Sequence, residues 1–183
     1  MKKPSKSFEI ALSAIACAAS AVFLTIGSYV DFLLGAGYIL AVFALMIPLS
    51  KDFWGGSLLA AIGATLLAFM FCAFSFLKLA PFLMFFGLHP TANYLQKKYI
   101  KKKPLHVLVF LLKAVWFELV LWFAWQFFLV ELFALNEATW YEFVMQYFYV
   151  VLFAGGTVLF AFYDYAIFMC QRTADWCVRR IRR

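Results

Sequence analysis

The chain has 183 residues, of which 67% are hydrophobic, 21% aromatic and only 14% charged, and its formal net charge is +7. Soluble domains are roughly 45–50% apolar and about 25% charged, so this chain has too few polar groups to cover a surface in water. Its mean hydropathy of +0.91 also excludes intrinsic disorder. These values predict an integral membrane protein, and at roughly 20 residues per span the length allows about six helices.

Six apolar runs, separated by short clusters of Lys, Asp, Pro or Asn, predict the elements in chain order. They cover residues 8–30, 32–49, 53–77, 79–95, 105–135 and 143–170. The fourth is short and contains Pro90, which predicts a kink, and the fifth is too long for one upright span and must tilt. No run alternates like a barrel strand, and lipid requires backbone groups to bond within their own segment. We therefore expect one all-α domain over residues 1–183, a bundle of six transmembrane helices.

The basic residues predict how this bundle crosses the membrane. If the N-terminus is cytoplasmic, 14 of the 16 Lys and Arg residues lie on inner segments, in agreement with the excess of basic residues in cytoplasmic loops. Both termini are then cytoplasmic, and we expect a multi-pass membrane protein. The charge is divided among separate juxtamembrane groups, which favours anionic inner-leaflet lipid over nucleic acid as a partner, at about 1 kcal/mol per basic residue.

The sequence lacks the motifs of enzymes and of metal sites. Its four cysteines show no Cys-x-x-Cys spacing, so no disulfide, metal site or cofactor is expected. Glycine-rich phosphate loops and hydrolase motifs are also missing from the sequence, and we assign no catalytic residue. The opening residues resemble a secretory signal, but the apolar run continues to Val30. We expect an uncleaved first helix, with a cleaved lipoprotein as the alternative.

Small residues form a stripe along the first predicted helix. They recur at spacings of three or four, at Ala11, Ala14, Ala18, Ala21 and Thr25. Side chains of this size let a second helix approach closely, which supplies packing energy that the hydrophobic effect cannot supply in lipid. The stripe predicts either packing against a helix of the same chain or docking of another membrane subunit.

The deepest polar residues lie on the fifth predicted helix. Glu118 stands 13 residues after Leu105, about 20 Å along the helix axis and near the middle of the bilayer. A lone carboxylate there is costly, so we expect a partner, either His89 of the fourth run or, if Glu118 is protonated, another group of the bundle. Lys113 is expected to extend to the inner surface. Asp164, near the inner end of the sixth helix, is expected to pair with a basic residue of the C-terminal tail.

Aromatic and polar side chains in the outer halves of the helices predict a small-molecule pocket. The candidates are Tyr29, Asp31, Tyr38, Trp122, Trp125, Gln126, Glu131, Gln146 and Tyr147. Flat aromatic surfaces with a few directional polar groups are typical of ligand sites. The helical spacing places Glu118, Trp122 and Trp125 on one face. The alternative is an interfacial belt, because Trp and Tyr gather at membrane surfaces without binding a ligand.

Six helices in about 180 residues, a cytoplasmic N-terminus, a basic inner face and the Ala14-x-x-x-Ala18 pair together resemble the substrate-binding, or S, component of energy-coupling factor transporters. The resemblance covers nearly the whole chain as an architecture, and the alanine pair is its one motif. It implies a bacterial uptake subunit that captures a vitamin or similar small molecule from outside. The first outer loop, around Asp31, is shorter than a gating loop of that family, which bears on how the pocket would close.

The same resemblance implies partners. The subunit would dock through Ala14 and Ala18 onto a membrane coupling subunit that carries two cytoplasmic ATPases, so energy would come from the partners. A different class of function fits the same composition. The chain could be a membrane scaffold or assembly protein of the cell envelope, without a small-molecule ligand. An intramembrane enzyme using His89 and Glu118, or a self-sufficient transporter, would be further alternatives.

Overall fold

The computed structural model describes residues 6–72, 76–130 and 140–181, and the regular structure in these ranges is helical. Five helices are long and apolar enough to cross a membrane. They cover Lys6–Tyr29, Asp31–Leu49, Trp54–Phe71, Lys103–Phe127 and Phe148–Trp176. The structure thus confirms an all-α chain suited to a membrane, and these five helices correspond to the first, second, third, fifth and sixth predicted runs.

The described ranges contain nine α-helices. They are α1 (Lys6–Tyr29), α2 (Leu34–Leu49), α3 (Trp54–Phe71), α4 (Phe76–Pro81), α5 (His89–Tyr99), α6 (Lys103–Ala124), α7 (Tyr141–Gln146), α8 (Phe148–Val150) and α9 (Gly156–Ile181). A 3-10 turn, Asp31–Leu33, joins α1 to α2. Wide π-helical turns cover Phe82–Phe86, Trp125–Leu129 and Val151–Gly155.

The fourth predicted run differs from the expected single helix. It consists of α4, the first π-helical turn, a turn at residues 87–88 and then α5. Pro90 is the second residue of α5 and does not kink a continuous helix. A proline in the first turn costs little because its missing N–H would have no partner there. The run therefore begins a new helix at the position where we expected a bend.

The chain divides into two compact units. The first contains the residues up to Tyr99 together with those from Ile167 onward, and the second contains Ile100–Ala166. The α9 helix begins in the second unit and ends in the first.

Glycine brings α1 and α2 close together in the first unit. A Cβ atom at Gly37 would lie 2.8 Å from the carbonyl oxygen of Phe23 and 3.1 Å from the Cα atom of Gly27. The buried face of α3 is also made of small side chains, and it includes Ala60, Ala64 and Ala68. Close backbone approach of this kind is how helices gain packing energy in lipid.

Serine and threonine hydroxyls link the same helices. Ser20 of α1 donates a hydrogen bond to the carbonyl of Ala41 at 2.9 Å, and Ser57 of α3 donates to the carbonyl of Leu45 at 3.0 Å. The Thr91 hydroxyl of α5 donates to the Ser57 oxygen at 3.4 Å. Each of these hydroxyls is buried, so its bond within the protein replaces the water that it would otherwise need.

In the second unit, α6 runs antiparallel to the start of α9. Lys113 contacts Asp164, and Glu118, further along α6, contacts Thr157, which comes earlier in α9. The Phe160 ring is fully buried between these two contacts, and its centroid lies 5.7 Å from that of Phe117. The pairing of α6 with α9 therefore positions four polar side chains, those of Lys113, Glu118, Thr157 and Asp164.

Replacing Gly37 by Ala is expected to destabilise the folded protein by about 1–3 kcal/mol, the usual cost of overpacking. The added methyl group would meet backbone atoms, which cannot rotate aside. Gly35, on the same helix, has no atom within 4 Å of the corresponding position, so Gly35→Ala is the matched control. The control should be neutral or stabilising, because Ala has the higher helix propensity. Unfolding of both variants in detergent measures the difference, and equal effects would contradict the close approach.

Candidate functional site

Three of the predicted ligand groups, Tyr29, Asp31 and Tyr38, are engaged in contacts inside the first unit. The Lys78 ammonium donates to Asp31 Oδ1 at 2.6 Å, and the Tyr38 hydroxyl donates to the backbone carbonyl of Lys78. The Tyr29 hydroxyl donates to the carbonyl of Phe71 at 2.6 Å. These polar groups tie the junction of α1 and α2 to α3 and α4, which leaves them less free to orient a ligand.

Lys78 is the residue of this group that the sequence reasoning did not assign. It lies on α4, 47 positions after Asp31, and its side chain is about one-quarter exposed. A signal was present in the sequence. The orientation that places 14 basic residues on inner segments puts Lys113 within a span and Lys78 on the outer side, where Asp31 of the first outer loop is also expected. Opposite charges predicted at one membrane surface suggest a pair, although not its geometry.

Trp125 is the centre of an aromatic group in the second unit. Its ring is nearly parallel to that of Tyr141, with an interplanar angle of 9° and centroids 6.5 Å apart. On another side it contacts the buried Phe148 ring, at a centroid distance of 5.7 Å. Trp125 also starts a π-helical turn, a feature that is frequent at functional sites. The structure therefore joins Trp125 to two aromatic residues that the sequence reasoning had not assigned to a site.

The structure leaves the other predicted ligand residues of the second unit exposed. They are Trp122, Gln126, Gln146 and Tyr147. Glu131 lies outside the described residues. Tyr147 contacts Phe143, with ring centroids 5.1 Å apart. Exposed aromatic side chains on a membrane helix are also typical of an interfacial belt, so exposure alone does not assign these four residues to a pocket.

Lys113 and Asp164 form a buried ion pair, which corrects two expectations. We expected Lys113 to extend to the inner surface and Asp164 to pair with the C-terminal tail. Instead the Lys113 ammonium donates to Asp164 Oδ1 at 2.8 Å, and the two side chains are only 5% and 10% exposed. The ammonium also lies 6.0 Å from the Phe160 ring centroid. The two opposite charges neutralise each other inside the protein, and this replaces the solvation that Lys113 would have gained by extending to the membrane surface.

The other two buried polar candidates have neighbours of different kinds. Glu118 is 7% exposed, and its Oε1 accepts a hydrogen bond of 2.6 Å from the Thr157 hydroxyl. His89 is fully buried in the first unit, where its ring lies 4.8 Å from that of Phe85. Thr157 was not expected as a partner. A pairing of His89 with Glu118 stays a prediction.

The small-residue stripe of α1 is exposed over most of its length. Ala11, Ala14 and Ala18 are exposed, whereas Thr25 is half-buried and Ala21 is buried. The packed face of α1 lies on the opposite side. It includes Ala16, Ser20, Leu24 and Gly27. Ala21 is thus corrected from a partner contact to an internal one, while the other three alanines keep a free surface.

Tyr94 links α5 to the turn between α2 and α3. Its hydroxyl donates to Asp52, and Lys98 donates to it at 3.1 Å. Asp52 has a φ of 63°, a left-handed conformation that Asp tolerates better than most residues. The hydrogen bond to Tyr94 raises the pKa of Lys98. These contacts of Tyr94 hold the C-terminal half of α5 against the turn between α2 and α3, next to the five lysines of residues 97–103.

The comparisons with known proteins add no assignment. No family model matches the chain, and no curated protein or solved structure matches it either. Among the described residues, no group of three or more His, Cys, Asp or Glu side chains could hold a metal ion. The functional proposal below therefore depends on the helices and on the contacts of their side chains.

Replacing Lys113 by Met, or Asp164 by Asn, is expected to cost about 3–5 kcal/mol of stability, because each change leaves one charge buried without its partner. The double variant should cost much less than the sum of the two, since it removes both charges. Reversible unfolding in detergent gives the interaction energy from this double-mutant cycle. Additive losses would contradict an energetically coupled pair.

Proposed function

We propose that this chain is a membrane-embedded substrate-capture subunit of a small-molecule uptake system, similar to the S component of energy-coupling factor transporters. It would cross the bacterial inner membrane six times, with the α4–α5 region as the fourth crossing and both termini in the cytoplasm. Ligand would enter from the outer face. A membrane coupling subunit with two cytoplasmic ATPases would supply the energy, so the chain itself would be no enzyme.

The free alanine surface of α1 is the observation that supports this proposal most. Ala11, Ala14 and Ala18 face away from the side of α1 that packs within the chain. Small side chains on a helix surface in lipid allow a second helix to approach closely. The packing contacts made in this way are lost if no helix covers the strip. A coupling subunit is the occupant that the resemblance implies.

The proposed ligand is flat, vitamin-like and stacked on Trp125. This ring is half-buried and anchored by Phe148, so it is more fixed than the exposed Trp122. Gln126 follows directly in the chain and could orient the ligand through hydrogen bonds, as could Gln146. We leave Asp31 and Tyr38 out of the site, because Lys78 engages both.

The inner basic segments would bind anionic lipid. Residues 97–103 contain five lysines around the end of α5 and the start of α6, and all five are exposed. Each would contribute about 1 kcal/mol near a negatively charged leaflet. This attraction would hold the cytoplasmic end at the membrane surface while leaving the helix faces free for a coupling subunit.

A scaffold or assembly protein of the cell envelope is the second candidate. It is favoured by the contacts of Tyr29, Asp31 and Tyr38, which serve the first unit internally. Melting of the purified chain with a panel of vitamins tests the two functions directly, because a ligand that binds the folded state raises the melting temperature. A shift with one compound supports capture. The scaffold is supported if no compound shifts the melting temperature and only envelope machinery co-purifies.

Replacing Ala14 and Ala18 together by Leu is expected to abolish uptake and co-purification of the coupling subunit, while the melting temperature and the ligand affinity of the isolated chain stay unchanged. Leucine would hold the partner helix away from the α1 backbone. Ala36→Leu, at an exposed alanine of α2, is the matched control and should leave uptake intact. Weaker ligand binding by the double variant would indicate that the stripe serves internal packing.

Replacing Trp125 by Ala is expected to weaken ligand binding by about 1–3 kcal/mol, the range for an aromatic side chain at the centre of a site. The ligand is the compound that shifts the melting temperature in the panel, and isothermal titration gives its affinity. Trp54→Ala, at the exposed start of α3, is the control and should bind normally. Unchanged affinity in the Trp125 variant would remove this ring from the site.

A further inference from the structure

Glu118 is a buried acidic side chain without a positively charged partner among the described residues. It is 7% exposed, and its one hydrogen-bond partner among the described residues is the Thr157 hydroxyl, a neutral donor. Within the described part of the chain it forms no ion pair. An ionised carboxylate in an apolar medium needs a positive partner as well as hydrogen bonds, because desolvation of the charge is costly.

The nearest cation along α6 is already used. Lys113 stands five residues before Glu118, about 140° around the helix, and its ammonium is bound to Asp164 at 2.8 Å. Lys113 is therefore the counter-ion of Asp164 and not of Glu118. Gly156, opposite Glu118, presents no side chain. A Cβ atom there would already be 3.4 Å from Glu118 Cγ.

An aromatic ring lies just beyond the C-terminal end of α6, at the start of the π-helical turn that follows it. Trp125 follows Glu118 by seven residues, two helical turns and about 10 Å along the axis. Rings in full face-to-face contact lie about 3.5 Å apart, whereas the Trp125 and Tyr141 centroids are 6.5 Å apart with nearly parallel planes. The two rings therefore do not cover each other fully.

We propose that the captured ligand is an organic cation that also carries a flat ring, with Glu118 as its counter-ion and Trp125 and Tyr141 as the stacking surfaces. A carboxylate combined with aromatic faces is the chemistry that recognises ammonium groups. This inference rests on the proposed capture function and names its substrate class. It makes Glu118 a binding residue, whose carboxylate also accepts the hydrogen bond from Thr157.

The test uses a matched pair of probes, 4-phenylbutylamine and 4-phenylbutan-1-ol, on the purified full chain in non-ionic detergent at neutral pH. The two share a ring and a four-carbon chain and differ in the charged end group. Isothermal titration should show that the wild type binds the amine at least about tenfold more tightly than the alcohol. Glu118→Gln keeps the shape of the side chain and should make the two affinities equal.

Thr157→Val is the second variant, and it keeps the test decisive even if the Glu118 variant fails to fold. It removes the neutral donor and keeps the carboxylate, so the preference for the amine should be retained or increased. The inference is overturned if the wild type does not bind the amine, or binds both probes equally. Loss of the preference in the Thr157 variant, or its survival in Glu118→Gln, overturns it as well.

The same measurements separate this inference from the capture function. If both probes bind equally and Trp125→Ala weakens both, the chain still captures a flat ligand and only the role of Glu118 is wrong. If neither probe binds but a neutral vitamin raises the melting temperature, the same conclusion follows. If no compound of either set binds, the capture function falls together with the cation inference.

Discussion

A polar group surrounded by lipid or apolar side chains has to find its partner within the protein, because lipid offers neither donors nor acceptors. The pair of Lys113 and Asp164 obeys this constraint most fully, with both charges buried and in direct contact. The hydroxyls of Ser20 and Ser57 obey it on a smaller scale, by donating to carbonyls of α2. Since each such partner lies on another helix, satisfying a polar group also fixes which helices are neighbours.

This constraint explains why the second unit has the register it has. The contacts of Lys113 with Asp164 and of Glu118 with Thr157 occur at two depths along one helix pair. Sliding α6 along α9 by one turn would break both at once. Apolar packing alone tolerates such slips more easily, because one leucine surface resembles another. The ion pair and the hydrogen bond can both form in only one alignment of α6 with α9.

The sequence predicted the helical class and the five long apolar helices, because bilayer thickness translates directly into the length of an apolar run. The internal break of the fourth run was not predicted. A hydropathy average over a window of residues does not detect the short turn at residues 87–88. Pro90 changes that average by the same amount whether it kinks a helix or begins one. The six-span topology and the orientation follow from the distribution of charge and stay predictions.

The candidate site was less predictable, because it depends on which side chains meet across helices. Spacing along the fifth predicted run placed Glu118, Trp122 and Trp125 on one face, and the structure has Glu118 buried, Trp125 half-buried and Trp122 exposed. The spacing could not identify Thr157 or Tyr141, which approach from other elements. The expectation for Lys113 was wrong because it considered only that a lysine side chain is long enough to extend to the membrane surface. It did not consider a buried acidic partner on another helix.

The wide turn at Val151–Gly155 has a consequence for how this protein can change. It lies immediately before the stretch of α9 that carries Thr157 and Asp164. In a regular α-helix, removing one residue turns everything beyond it by about 100°. A π-helical turn holds one residue more than the α-helical turn it replaces, so a residue lost here can be absorbed by closing the turn. The alignment of Thr157 and Asp164 with α6 is therefore protected from a deletion at this point of the chain.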